Sequence, residues 1–124
     1  MTQHSAPEWP SELRLTPEKT ALRVEFANGV SETIPAELLR VTSPSAEVQG
    51  HSPEERKLVA GKRDVSIRAI EPVGNYAVRL VFSDGHDTGL FTWSYLYRLA
   101  QRKEEMWDGY LKEIEAAGLS RDPR

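Results

Sequence analysis

The eight residues Leu22-Arg23-Val24-Glu25-Phe26-Ala27-Asn28-Gly29 return 56 positions later as Val78-Arg79-Leu80-Val81-Phe82-Ser83-Asp84-Gly85. In each copy apolar and polar side chains alternate, the period of a strand with one buried face. An Asn-Gly or Asp-Gly pair then follows, the strongest short-range signal for a hairpin. At Asn28-Gly29 the expected turn is type I′, with positive φ at both central residues. The first copy returns through Val30–Ile34 into a helical turn, Pro35-Ala36-Glu37-Leu38-Leu39. The second returns through His86–Phe91 into Thr92-Trp93-Ser94-Tyr95-Leu96. A chain that writes one hairpin twice carries a doubled framework of two similar half-buried β units, and the repeat alone does not fix how the two pack. Chemistry particular to the protein belongs where the copies differ. The second carries Gly85-His86-Asp87-Thr88-Gly89 and a cluster of aromatics; the first carries Gly29-Val30-Ser31-Glu32-Thr33.

The fold class expected from these patterns is α+β: a mostly antiparallel sheet built from two similar β-hairpin units, with a C-terminal amphipathic helix packed on it. The 124 residues make one domain, long enough to bury roughly two-thirds of the unfolded surface without covalent staples. Residues 1–12 read as a flexible leader with Pro7 and Pro10, residues 13–119 as the domain, and residues 120–124 as a tail that should fray. Further strands are expected at Glu12–Leu15, Val65–Ile70 and Tyr76–Phe82. In the last third, Leu96, Leu99, Ala100, Met106, Trp107, Tyr110, Leu111, Ile114 and Ala117 fall on one helical stripe, the pattern of a helix with one buried face. Thr92 or Ser94 is placed to cap its start, Gly109 to kink it, and Gly118-Leu119 to end it in a Schellman turn.

Composition removes several classes of function. The absence of cysteine excludes disulfides, thiolate metal ligands, a cysteine nucleophile and a self-ligated iron–sulfur cluster, and suits a cytoplasmic setting. The N-terminus lacks the basic and apolar regions of a secretion signal, and no apolar run reaches membrane-spanning length. A net charge of −3 and a pI near 5.6 point away from nucleic acid, whose phosphates require a basic face.

The candidate chemistry is sparse. His86 and Asp87 follow the second turn. Neighbours on a strand point to opposite faces, so the pair does not easily share one ligand sphere. The simpler role for His86 is a hydrogen bond beneath the long irregular segment Thr42–Lys62, with Asp87 capping a turn. His86, His51 and Glu47 together would make a two-histidine, one-carboxylate set suited to iron, though ligands on separate loops carry no spacing signature. Ser43 or Ser45 with a histidine lacks the strand–turn–helix elbow of a serine hydrolase. Gly85–Gly89 lacks the following helix of a phosphate cradle. Phe91, Trp93, Tyr95 and Tyr97 alternate at the strand-to-helix corner, part core and part contact surface.

Two stretches, Leu39-Arg40-Val41 into Ser43-Pro44-Ser45-Ala46-Glu47-Val48-Gln49-Gly50-His51, and Ile70-Glu71-Pro72-Val73-Gly74-Asn75-Tyr76 through Asp84-Gly85-His86 to Trp93-Ser94-Tyr95-Leu96, resemble the gamma-butyrobetaine hydroxylase-like N-terminal domain family, in its bacterial stand-alone form. The resemblance runs from about Leu13 to Leu99. It implies kinship with the small non-catalytic module of carnitine-pathway oxygenases, which binds zinc through three cysteines and one histidine, and with a domain of P-loop ATPases that carry iron–sulfur clusters. His86 takes the place of the zinc-binding histidine. The cysteines would fall between Ser43 and Gly50, where this chain has none, so zinc is not carried over and no hydroxylase activity is implied. The resulting expectation is a cofactor-free, non-enzymatic domain. It would present Ser43, Glu47, His51, His86, Asp87, Trp93 and Tyr95 to a protein partner, an iron–sulfur carrier or iron enzyme by resemblance, rather than to nucleic acid or membrane. The rival is a metal-binding domain using His86, His51 and Glu47.

Overall fold

The computed structural model describes residues 9–45, 48 and 57–123. Among the described residues, two antiparallel three-stranded sheets and three helices of six residues or more make an α+β fold. The first sheet has the order β1 (Pro10–Leu15), β2 (Ala21–Phe26), β3 (Ser31–Pro35) and runs directly into α1 (Ala36–Val41). The second has the order β4 (Ile67–Val73), β5 (Ala77–Phe82), β6 (Leu90–Thr92) and runs directly into α2 (Trp93–Gln101). A last helix, α3 (Lys103–Ala116), closes the molecule. The duplicated sequence is thus a duplicated three-strand-plus-helix unit, with the repeat lying on the central strand of each sheet. The two similar hairpin units expected from the sequence are present, and each takes a third strand from the residues just before it, giving two antiparallel sheets.

Burial follows the repeat residue by residue. Leu22, Val24 and Phe26 are at most 3% exposed, and so are their counterparts Val78, Leu80 and Phe82. Burying each such side chain contributes about 1.5–3 kcal/mol. All six join one core with Ile34, Leu38, Leu39, Phe91, Leu96 and Leu99. The two turns also match. Gly29 N–H donates to Phe26 O and Gly85 N–H to Phe82 O, both at 3.0 Å. Phe26 N–H then bonds Val30 O (2.8 Å) and Phe82 N–H bonds His86 O (2.9 Å). Only the glycines are left-handed there, at φ 96° and 92°. Each loop therefore has three residues ending in a left-handed glycine, and not the two-residue type I′ turn expected at Asn28-Gly29.

Other boundaries shift for local reasons. The first strand begins at Pro10, inside the expected leader. β4 starts later than Val65, whose N–H closes a turn on Lys62 O at 3.1 Å, and it runs on through Pro72, which an edge strand accommodates. The limb after Gly85 becomes a strand only at Leu90. Thr92 caps α2 through its side chain, which accepts from Tyr95 N–H at 3.1 Å. The long helical stripe is interrupted at Arg102 (φ −116°, ψ 21°), not at Gly109, which lies within α3. The break lets α2 bury Leu96 and Leu99 near the first sheet while α3 buries Tyr110 and Ile114, Tyr110 Oη donating to Val59 O at 2.6 Å. Gly118 (φ 69°) ends α3, with Leu119 N–H on Ile114 O and Gly118 N–H on Glu115 O, the paired bonds of a Schellman motif.

The segment expected to fray is tied down. Gly61 N–H donates to Ser120 O and Arg63 N–H to Arg121 O, both at 2.9 Å. Arg121 crosses back to α1 and makes a two-pronged ion pair with Glu37, Nε to Oε2 at 2.8 Å and Nη2 to Oε1 at 2.7 Å. Its guanidinium also lies 4.9 Å over the Trp107 ring. Hydrogen bonds of this fork type favour one geometry, so residues 120–122 act as a strap across α1, α3 and the 59–63 segment.

Candidate functional site

The place where the two units differ is the turn of the second hairpin. In the first, Asn28 Oδ1 accepts from Val30 N–H (3.1 Å) and its amide reaches Tyr97 Oη on α2 (2.8 Å). In the second, Asp84 Oδ1 accepts from His86 N–H (3.1 Å) and Oδ2 from Arg40 Nε on α1 (2.8 Å). Each hairpin thus braces the helix of the other unit. The second brace is ionic, and Lys62 Nζ adds a further bond to Asp84 Oδ2 at 2.6 Å. Arg40 and Asp84 side chains are 12% and 21% exposed.

Burial raises the Asp84 carboxyl, but the Lys62 hydrogen bond, the His86 N–H and Arg40 together outweigh it and hold the pKa at about 2. A carboxyl depressed in the folded state stabilises above its unfolded pKa and loses that contribution as pH falls through the folded value. Asp84 is therefore expected to contribute about 1–2 kcal/mol at neutral pH after allowance for solvent screening, fading between roughly pH 4 and pH 2. Denaturant unfolding at pH 7 and pH 2.5 checks this: the gap between the native chain and Asp84→Asn must narrow at the lower pH, and an equal gap at both refutes it.

His86 occupies the position of Val30 and, like it, points inward. It is 7% exposed, and a 2.9 Å hydrogen bond joins its Nε2 to Ser43 Oγ, itself 0% exposed. Ser43 sits on the segment leaving α1, so this bond fastens that segment under the second hairpin. Gly89 closes the other side, where a Cβ would lie 2.2 Å from Ser43 Oγ. Tyr95 Oη donates to Thr42 O, adding a second tie to the same segment. Burial raises the Tyr95 phenol, against the lowering effects of that bond and of Arg98.

Of the residues expected to meet a partner, Ser43 and His86 are buried and so are corrected from direct contacts to internal supports. Asp87 is exposed. Trp93 is half-buried with its Nε1 on Asn75 O at 2.8 Å, and Tyr95 is half-buried. Glu47 and His51 lie outside the described residues. The sequence reading passed over Arg40, Lys62 and Asp84; the one available clue was the change from Asn28 to Asp84 between the copies.

The zinc site implied by resemblance can be tested on these residues. His86 is present, but its Nε2 meets a serine hydroxyl. Ser45 is buried with no hydrogen-bond partner for its Oγ among the described residues, and Val48 is 2% exposed. Serine hydroxyls and a valine do not replace the thiolates of a closed zinc site, so the described residues do not fit zinc. Among them no group of three His, Cys, Asp or Glu side chains is placed to hold a metal ion, and no helix is long and apolar enough to cross a membrane.

Fold and site define a small α+β domain of two meander-and-helix units, cross-braced through their hairpin turns. The family model for gamma-butyrobetaine hydroxylase-like, N-terminal, matches residues 13–97, and the chain belongs to that family. Two solution structures determined by NMR are similar to it. One is 48% identical, with a TM-score of 0.83, covering 96% of this chain and 94% of the other. The second is 49% identical, with a TM-score of 0.81, covering 99% and 92%. A 1.93 Å crystal structure of a protein of unknown function in the DUF971 family, from Acidithiobacillus ferrooxidans, is 41% identical with a TM-score of 0.64, covering 77% of this chain and 98% of that one. The family match stops before α3, whereas the alignment to the second solution structure extends over nearly the whole chain. No curated protein matches the chain.

Proposed function

We propose that this domain is a non-catalytic protein-interaction module, and that the setting of its partner is iron–sulfur or iron-enzyme maturation. The observation that carries the first part is the engagement of the polar groups where the two units differ. His86 is spent on Ser43, Asp84 on Arg40 and Lys62, and Tyr95 on Thr42. Ser43 and His86 are 0% and 7% exposed, so their bond is withdrawn from solvent and, with the others, supports a rigid corner. Around the corner lie exposed Asp87, Leu90 and Arg98, a mixed apolar and charged surface suited to a protein contact. The iron setting rests on family resemblance alone, which is an argument from kinship.

The test is anaerobic capture with the tagged full chain from its native cell, read by mass spectrometry, beside an Asp87→Lys, Leu90→Asp variant. Expected is a specific protein retained by the native chain and lost by the variant. An iron–sulfur carrier or iron enzyme in that place supports the finer reading, and an unrelated partner overturns it. No difference between the two baits overturns the interaction reading as placed on this face. The rival metal reading predicts shifts of the histidine NMR signals on adding Fe²⁺ or Zn²⁺.

A further inference from the structure

Beside the corner, β6 is the outer strand of the second sheet. Its pairing fixes which backbone groups face outward. Trp93 N–H bonds Tyr76 O, and Val78 lies opposite Phe91. Hydrogen-bonded pairs alternate along an antiparallel ladder, so Phe91 turns its amide and carbonyl to β5, while Leu90 turns both of its groups, and Thr92 its N–H, to the outer edge; the Thr92 carbonyl already takes the first bond of α2. Among the described residues no strand pairs with that edge. An edge of this kind is a template for an added strand.

The edge opens onto a cleft of about 260 Å³ lined by Pro44, Leu90, Thr92, Ser94, Tyr95 and Arg98. Its walls carry apolar contact from Pro44 and from Leu90, which is 37% exposed, and hydroxyls from Thr92 and Ser94. Among the described lining residues the single charge is Arg98, whose guanidinium lies 5.4 Å over the Tyr95 ring and has no carboxylate partner among the described residues. Among the described residues no acidic side chain lines the cleft, and Arg98 makes that lining positive on a chain whose net charge is −3. The first unit offers no equivalent charge, since the residue 56 positions before Arg98 is Thr42.

We propose that this cleft receives an extended segment of a partner protein, which adds a short strand to β6 and sets an internal Asp or Glu side chain on Arg98. The inference rests on the interaction reading above and names the chemistry of the partner. Backbone pairing with Leu90 and Thr92 supplies affinity, and the carboxylate supplies register and selectivity. Tyr95 holds the Arg98 plane in position, and the bond from Tyr95 Oη to Thr42 O fixes the ring.

The test is selection from a random-peptide library with blocked termini against the intact chain. Expected are peptides that pair an acidic residue with β-branched neighbours, shift the amide signals of Leu90 and Thr92, and bind Arg98→Glu at least about tenfold more weakly. A lysine put in place of the peptide's acid should recover binding to Arg98→Glu. Arg98 is exposed, so the variant keeps its fold, which its amide spectrum verifies. Peptides without acidic enrichment, equal binding to Arg98→Glu, shifts confined to another face, or no peptide selected would each overturn the cleft. A partner captured by the native chain and retained equally by Arg98→Glu would overturn the cleft while leaving the interaction reading standing.

Discussion

Arg121→Ala is expected to destabilise the domain by about 2–4 kcal/mol and to lower Tm by roughly 10 °C. The reason is the state in which it leaves Glu37. That carboxylate's side chain is 6% exposed against 26% for Arg121, and both its oxygens are held by the guanidinium. Removing the arginine leaves a buried charge with its main counter-ion gone, which is far more costly than the pair itself is favourable. The loss also frees Trp107 from its cation contact and loosens the bonds between residues 120–121 and the 61–63 segment. Tyr110, pushed up to about 12 by burial and then by Glu37, stays neutral throughout and cannot compensate. Thermal unfolding of Arg121→Ala, Glu37→Met and the double variant separates the causes. If the buried charge is responsible, the double variant regains most of the stability of the single Arg121 change. A double variant as unstable as Arg121→Ala would mean that the strap acts through packing alone.

Gly89→Ala is expected to destabilise by about 2–3 kcal/mol, the range for overpacking a tight interior. The added Cβ would fall 2.2 Å from Ser43 Oγ and 3.3 Å from Pro44 Cδ, and Ser43 has no room to yield because it is fully buried and bonded to His86. The contrast is with Gly29 and Gly85, where a Cβ meets nothing within 4 Å and the penalty comes from the left-handed backbone instead. Substituting alanine at those two positions should cost about 1–2 kcal/mol each. Chemical denaturation of Gly89→Ala with and without Ser43→Gly distinguishes the two mechanisms. Partial rescue by Ser43→Gly supports the steric account; unchanged instability in the double variant sinks it.

Much of the fold was legible because alternation and turn chemistry are local. Leu22, Val24 and Phe26 announce a buried face by spacing alone, and the 56-residue repeat announces that the arrangement occurs twice. Thr92 as a cap and Gly118 as a helix stop were readable for the same reason: each acts within a few residues of itself. Where local rules competed, the reading erred by small amounts. Asn28-Gly29 satisfied the sequence preference of one turn and adopted another, since a three-residue loop ending in left-handed glycine suits the same residues. The stripe from Leu96 to Ala117 hid the break at Arg102, because a continuous periodicity does not reveal that its two halves pack on different surfaces.

The candidate site was legible only in outline. Comparing the copies directed attention to Gly85–Gly89, the part of the second hairpin that departs from the repeat. It did not reveal that His86 and Ser43 would meet, nor that Arg40, 44 residues before Asp84, would be its ion-pair partner. Nothing in the spacing of Glu37 and Arg121 marked them as a pair. Local order, the doubled unit, the lack of thiolate chemistry and the apolar faces were all carried by the chain's composition and periodicity. The cross-bracing of the two units, the inward turn of His86, the C-terminal strap and the open edge at β6 were set by tertiary packing. Hydrophobic patterning states which face a segment buries, but pairing between distant charged and hydroxyl groups depends on which buried faces are brought together, and that is decided only when the core closes.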